Sequence, residues 1–275
     1  MTSTTEQTEK QPAPPAAAEA EVTIILPNYR TPELTTICLR LLRLHTDPRR
    51  IRVIAVDNAS GDGSVEYLRQ VEWLRLIERQ VPDGEPGFIM HAKALDLAFA
   101  EVATPYVMIM HTDTLVLDDE WLDVLLAGFR GDDTVAGVGS WKLENLSPLK
   151  RLVKSAESWI QRLLGRRKRE NRYLRSHCAI YRTDLLRRYT AGFYDGESAG
   201  KSIHRKLTAA GYQLRFLDSE ELGRHICHLN HATMILNPHK GDRKTTRGTI
   251  RRKLSTRINR AEFSDVLNHP ELDRC

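Results

Sequence analysis

The sequence predicts an α/β fold with a mostly parallel central sheet flanked by helices, on three observations. Two short apolar runs, Val22 to Leu26 and Ile51 to Val56, enclose an amphipathic segment. This gives strand, helix and strand within about forty residues, the spacing of a right-handed parallel crossover. Tyr106 to Met110, YVMIM, is apolar at every position, the pattern of a strand buried on both faces. Each run ends in polar residues, Pro27-Asn28, Asp57-Asn58 and His111-Thr112-Asp113, and open α/β sheets hold their ligands at the carboxyl ends of the strands.

The totals bound the rest. A chain of 275 residues, 41% hydrophobic and 28% charged, has the composition of a folded domain with appendages rather than of a disordered protein. No apolar run reaches membrane-spanning length, and the amino terminus lacks a basic region followed by an apolar core, so neither a transmembrane helix nor a signal peptide is expected. Cys38, Cys178, Cys227 and Cys275 are scattered without a CxxC pair, the usage of a reducing cytoplasm. The net charge of +5 is concentrated in two later segments, and basic clusters attract phosphorylated ligands, anionic lipid or nucleic acid alike.

Residues 1–20, rich in Thr, Gln, Glu, Pro and Ala, read as a disordered tail. Pro32 opens a helix with Thr31 as cap, carrying Leu34, Ile37, Cys38, Leu41 and Leu42 on one broad face. The turn Asp57-Asn58-Ala59-Ser60-Gly61-Asp62-Gly63-Ser64 follows the second strand, with Ser64 placed to cap the next helix. His91 to Phe99 predicts a helix, near whose start Lys93 is misplaced for the helix dipole and well placed for a phosphate. Asp118 or Asp119 is the expected cap of a helix through EWLDVLLAGF, and Val135 to Gly139 reads as a further strand.

Ser147-Pro148 starts an amphipathic helix over 148–164, followed by Arg166-Arg167-Lys168-Arg169. Cover for the core and contact with an anionic membrane through 148–169 are both open to it, the second placing the protein at the inner face of a membrane. Arg175 to Tyr181 reads as a strand. Asp195 and Glu197 then sit on a glycine-bearing loop before a helix, either as turn residues or as a catalytic edge. In His225-Ile226-Cys227-His228-Leu229-Asn230-His231, an extended backbone would put His225 and His231 on one face and His228 on the other, whereas a tight turn would allow another pairing. The spacing fits no closed zinc motif, and an open metal site completed by Asp113 is the more economical reading. The basic stretch 240–260 lacks interleaved aromatics and any zinc-finger or helix-turn-helix pattern, so no nucleic acid is expected.

These motifs, in this order, resemble glycosyltransferase family 2, nucleotide-sugar transferases of the GT-A fold. VTIILPNYRTPELTTICLRLL resembles the family's first strand and helix, IRVIAVDNASGDGSVEYLR its nucleotide-binding strand and turn, and YVMIMHTDTLVLDDEWL its metal-binding strand. The match is specific over Glu21 to Gly139, and GESAGKSIHRKLTAAGY and HICHLNHAT resemble later acceptor-side pieces. The resemblance implies a single domain over 21–239, with a nucleotide-sugar half at 21–139, an acceptor half at 140–239 and a basic extension at 240–275. It further implies an inverting transfer from a nucleoside-diphosphate sugar to an acceptor hydroxyl. Asp57 would contact the base, Asn28 would lie near the ribose or base with Asn58 in the same nucleotide site, Pro27 would shape the loop, and Lys93 would meet phosphate.

Asp113 matches the second acid of the family's DxD, where Mg²⁺ or Mn²⁺ bridges the diphosphate. His111 stands in place of the first acid, which points to nitrogen as well as oxygen ligands and favours Mn²⁺. His228 or His231 would add a further ligand. Ala199 and Gly200 stand near the family's acidic pair, leaving Glu197 as the leading base and Asp195 as its rival. The competing readings are an inactive carbohydrate- or nucleotide-binding scaffold, suggested by those substitutions, and a nucleotidyltransferase, disfavoured because ILPNYRTPE is no phosphate loop.

Overall fold

Alternation along the first strand sets the layers: Val22, Ile24 and Leu26 are buried with helix residues Leu34, Ile37 and Leu41, while Ile25 packs with Ala94, Leu95 and Ala98. Successive strand side chains point to opposite faces, so a strand apolar throughout must be covered on both. A computed structural model describes residues 20–141, 172–194, 199–229, 232–237 and 261–275. The predicted tail, the amphipathic helix at 148–164 with its basic residues 166–169, Asp195, Glu197, His231 and the basic stretch 240–260 lie outside the described residues.

The chain runs β1 (Val22–Asn28), α1 (Pro32–Leu44), β2 (Ile51–Asp57), α2 (Gly63–Gln70), β3 (Leu74–Glu78), α3 (Gly87–Ala100) and β4 (Tyr106–Met110). It continues through β5 (Thr114–Val116), α4 (Trp121–Ala127), β6 (Val135–Gly139), β7 (Cys178–Arg182), α5 (Thr183–Tyr189), α6 (Ala199–Ala209) and β8 (Gln213–Phe216). The last elements are α7 (Ser219–His225), β9 (Ile226–His228), α8 (Ala232–Leu236), α9 (Ala261–Ser264) and two 3-10 turns, Asp265–Asn268 and Pro270–Asp273. A seven-stranded sheet has the order β3-β2-β1-β4-β7-β6-β8. Its pairs are parallel except where β7 runs against β4 and β6, as the predicted fold class requires. Because β1, β2 and β4 are parallel, Asn28, Asp57 and the residues after Met110 share one edge, with Asn28 in register with Asp57.

Three local readings are corrected. Asp62, not Ser64, caps α2, its carboxylate accepting the Ser64 N–H at 2.9 Å, while the Ser64 hydroxyl is buried without a partner. Thr31 precedes α1, but its hydroxyl makes no cap bond and turns instead to Asn28 and Thr112. Glu120 is the residue before α4, and Asp118 accepts its N–H. The basic extension also ends inside the fold: Phe263 and Val266 are buried, and Asp273 pairs with the buried Arg40 at 2.5 Å while accepting from the Tyr67 hydroxyl. Arg40 donates further to the carbonyl of Leu267 at 2.7 Å, so this buried charge pair is hydrogen-bonded as well as neutralised, the condition on which such pairs are tolerated. Among the described residues no helix is long and apolar enough to cross a membrane.

Candidate active site

The first part of the sheet edge is a brace between two loops. Asn28 donates from Nδ2 to Asp57 Oδ1 (2.7 Å) and Ser60 Oγ (3.2 Å), and its Oδ1 accepts from Thr35 Oγ1 (2.7 Å) and Thr31 Oγ1 (3.2 Å). Asp57 Oδ2 accepts the Ser60 N–H (3.0 Å), and the Ser60 hydroxyl donates to Oδ1. Asp57 is 1% exposed and Asn28 wholly buried, so both side chains are committed to shaping the edge. Arg30 crosses from the first loop to the second, its Nε donating to the Ser60 carbonyl at 2.7 Å. Each loop holds one non-glycine residue in the left-handed region, Arg30 (φ 50°) and Ala59 (φ 53°), a conformation that persists only where the surroundings enforce it. Pro27 is half-buried in register with Val56.

Lys93 does not stand free for a phosphate. Its helix begins at Gly87, earlier than the sequence pattern suggests, and its ammonium lies 2.7 Å from Glu85. Glu85 also takes Arg79 at 2.5 Å, and Arg79 donates to Asn58 Oδ1 at 3.1 Å. Burial pushes the Glu85 carboxyl up, but Lys93 and Arg79 outweigh it and hold the group below the ordinary carboxylate range. Asn58 is thus tied to a buried charge network rather than to open space.

The second part is the tip after β4, where His111, Asp113 and His228 converge with one ligand atom each, all within 4.8 Å of one another. His228 Nε2 is 3.3 Å and His111 Nδ1 3.8 Å from Asp113 Oδ1. Asp113 is 2% exposed; its Oδ2 accepts the Ala232 N–H at 2.9 Å, whereas Oδ1 is buried with no hydrogen bond aligned on it. Burial raises the Asp113 carboxyl, but His228, then His111 and the Ala232 N–H, bring it well below the usual carboxylate range, so it is ionised. Among the described residues, the only groups facing that oxygen are the two imidazoles, His228 at 3.3 Å without hydrogen-bond alignment and His111 at 3.8 Å. Two imidazoles and one carboxylate around that oxygen form a donor set that a divalent cation fits.

Elements remote in sequence assemble the cluster. The short ribbon of β5 and β9 sets Thr114 opposite His228, and Leu229 N–H donates to the Asp113 carbonyl at 2.8 Å. His228 therefore faces Asp113 instead of pointing away. His225 ends α7 and turns to Asp118, 2.8 Å away, so it is not part of the cluster. Two histidines that sequence reasoning missed stand behind the ligands. His177 stacks on His228 (4.4 Å between centroids, 15° between planes) and meets the Ser140 hydroxyl at 3.1 Å. His91 meets His111 edge to face at 4.9 Å. Burial, then its neighbours His228 and His111, holds His177 well below the ordinary imidazole value, and burial alone brings His91 to about 4. Both are neutral rings at pH 7. No local pattern marks either of them; their role exists only in the folded chain.

A Cβ at Gly200 would fall 2.4 Å from the Leu174 carbonyl oxygen, so the Tyr173-Leu174 backbone occupies the room a side chain would need.

A mostly parallel seven-stranded sheet flanked by helices, with a cluster of candidate ligands at its carboxyl edge, matches the GT-A architecture. The chain belongs to the family described as Glycosyl transferase family 2, whose model matches residues 23–190. Among solved structures, it is similar to a mannosyltransferase from Pyrobaculum calidifontis solved with GDP-Man and Mn²⁺. The TM-score is 0.54 at 21% identity, over 76% of this chain and 58% of that one. It is also similar to glucosyl-3-phosphoglycerate synthase from Mycobacterium tuberculosis in complex with phosphoglyceric acid (TM-score 0.50, 14% identity, 91% of this chain and 80% of that one). At these identities the likeness is one of fold, and the chain spans 58% of the mannosyltransferase's length. No curated protein matches the chain.

Proposed function

We propose that this glycosyltransferase moves a sugar from a nucleoside-diphosphate sugar to an acceptor hydroxyl with inversion, and that a divalent cation at His111, Asp113 and His228 is required. The observation that supports the reading is Asp113 Oδ1, ionised, buried and without an aligned donor between two imidazoles. A site of two nitrogens and one oxygen suits Mn²⁺ better than Mg²⁺, which prefers an all-oxygen octahedron. Once bound, the cation supplies positive charge for the departing diphosphate. Asp113 Oδ2, held by the Ala232 N–H, fixes the orientation of the other carboxylate oxygen, and His177 and His91 pack the two imidazoles from behind. Pro27 and the Asn28–Asp57 brace form the floor on which a base and ribose rest. Glu197, with Asp195 as the alternative, takes the acceptor proton from the opposite side as the hydroxyl oxygen attacks, and one displacement inverts the anomeric carbon.

An inactive nucleotide-sugar-binding scaffold is the second reading, favoured by His111 in the DxD and by Ala199-Gly200 in place of acids. A screen of nucleotide sugars by thermal shift, with and without Mn²⁺, separates the two when followed by transfer assays. Binding to the native state must raise the midpoint. A Mn²⁺-dependent rise with turnover that falls roughly 10²- to 10⁴-fold in Glu197→Gln or Asp195→Asn supports the enzyme. A rise without turnover leaves the scaffold, and no rise with any nucleotide sugar contradicts both.

A further inference from the structure

Arg175 leads into β7 in the run Arg175-Ser176-His177, and its two successors both touch the cluster. Ser176 Oγ is 3.1 Å from His111 Nε2, and His177 stacks on His228. The backbone N–H of Arg175 is pinned by the Ser140 carbonyl at 3.1 Å. Its guanidinium lies over two aromatic rings, 5.4 Å from the centroid of Trp141 and 5.3 Å from that of Tyr173, and Nη1 donates to the Tyr173 hydroxyl. The two rings meet edge to face at 5.0 Å, so the guanidinium is held by a rigid aromatic corner.

Other half-buried or buried cations near this sheet edge are neutralised by acids: Arg79 and Lys93 share Glu85. Arg175 has no carboxylate partner among the described residues, and its one side-chain hydrogen bond there is to Tyr173. Aromatic faces attract a guanidinium without consuming the N–H groups at its rim. What the corner presents is therefore a fixed positive fork. Planar forks of this kind match the paired oxygens of phosphate and carboxylate groups. A sugar-stacking platform is the weaker reading, because the guanidinium already covers a face of each ring.

We propose that Arg175, framed by Trp141 and Tyr173, is a subsite for a phosphate-type oxyanion beside the His111–Asp113–His228 cluster. The oxyanion comes either from the donor's diphosphate, which rests on the metal-dependent reading above, or from a phosphate carried by the acceptor, which does not. The role is binding and positioning: no bond is made or broken at Arg175.

Calorimetric titration of the full chain tests it with two probes, inorganic phosphate in chelator and pyrophosphate with Mn²⁺, on the parent, Arg175→Gln and Arg175→Lys. Arg175→Gln is expected to weaken anion binding about tenfold or more, the worth of a charged hydrogen bond. Arg175→Lys, which keeps the charge but loses the fork, should fall between it and the parent. Affinity for Mn²⁺ alone should not change, and the melting midpoint should fall only by the small amount that the lost ring contacts imply. Loss confined to pyrophosphate with Mn²⁺ assigns the subsite to the donor; loss for phosphate without metal assigns it to the acceptor. Phosphate binding that depends on Arg175 in a parent that binds no Mn²⁺ would retain the subsite and reject the metal. The proposal is overturned when the parent binds neither anion, when Arg175→Gln binds both as the parent does, or when Mn²⁺ affinity falls along with anion binding.

Discussion

The turn after β2 and the tip after β4 lie on the same sheet edge, and each buries one aspartate almost completely, yet the two carboxylates are treated in opposite ways. Asp57 has both oxygens filled, by Asn28 Nδ2, the Ser60 hydroxyl and the Ser60 N–H. Asp113 has one oxygen filled and one left without an aligned donor, facing two imidazoles. A buried group whose bonds close on the protein belongs to the framework; one whose bonds are left open has been kept for a ligand. The same sequence feature, an acid at the end of a buried strand, thus serves as brace in one place and, on the function proposed above, as ligand in the other.

Substitution should separate the two roles. Asp57→Ala leaves the Asn28 amide and the Ser60 N–H buried without their partner, so the fold should lose about 1 to 3 kcal/mol. Urea denaturation of parent and variant, with no nucleotide present, measures this. A midpoint unchanged within error would mean that Asp57 is reserved for a ligand in the way Asp113 is.

Gly200→Ala probes the start of α6 with a smaller net effect. Helix propensity favours alanine by about 1 kcal/mol, but the added Cβ overlaps the Leu174 carbonyl, and overpacking against backbone costs roughly 1 to 3 kcal/mol. Net destabilisation, read by the same denaturation, is expected. Net stabilisation would show that the Tyr173-Leu174 segment yields easily and that an acid could be accommodated there.

Much of the framework is readable from the chain before folding. The apolar runs of β1, β2 and β4, and the broad face of α1, follow from burial on both sides of a parallel sheet, and the shared edge of Asn28, Asp57 and Asp113 follows from strand direction. What escaped depends on partners distant in sequence. The three-residue strand Thr114–Val116 is too short to announce itself, and it exists because Ile226–His228 pairs with it. That pairing puts His228 on Asp113 and sends His225 to Asp118. Lys93 looked available because the neutralising Glu85 sits on a loop with no regular pattern. The buried Arg40–Asp273 pair was hidden by a carboxy-terminal composition that reads as solvated charge. Distinguishing Asp57 from Asp113 required the hydrogen-bond partners of each oxygen, which no spacing reports.

The claim that Asp113 is held open for a cation is tested most directly by titrating Mn²⁺ into the metal-stripped parent and Asp113→Asn, following free ion by electron paramagnetic resonance alongside the melting midpoint of each protein. The account predicts one Mn²⁺ site in the parent, weakened at least tenfold in the variant, the scale of a lost charged ligand bond. Without metal, the Asp113→Asn midpoint at pH 7 should be somewhat lower than the parent's, because the imidazoles that favour the ionised Asp113 lose its charge while the amide oxygen still accepts the Ala232 N–H. A parent that takes up no Mn²⁺, or an Asp113→Asn that binds it as tightly as the parent does, would contradict the account.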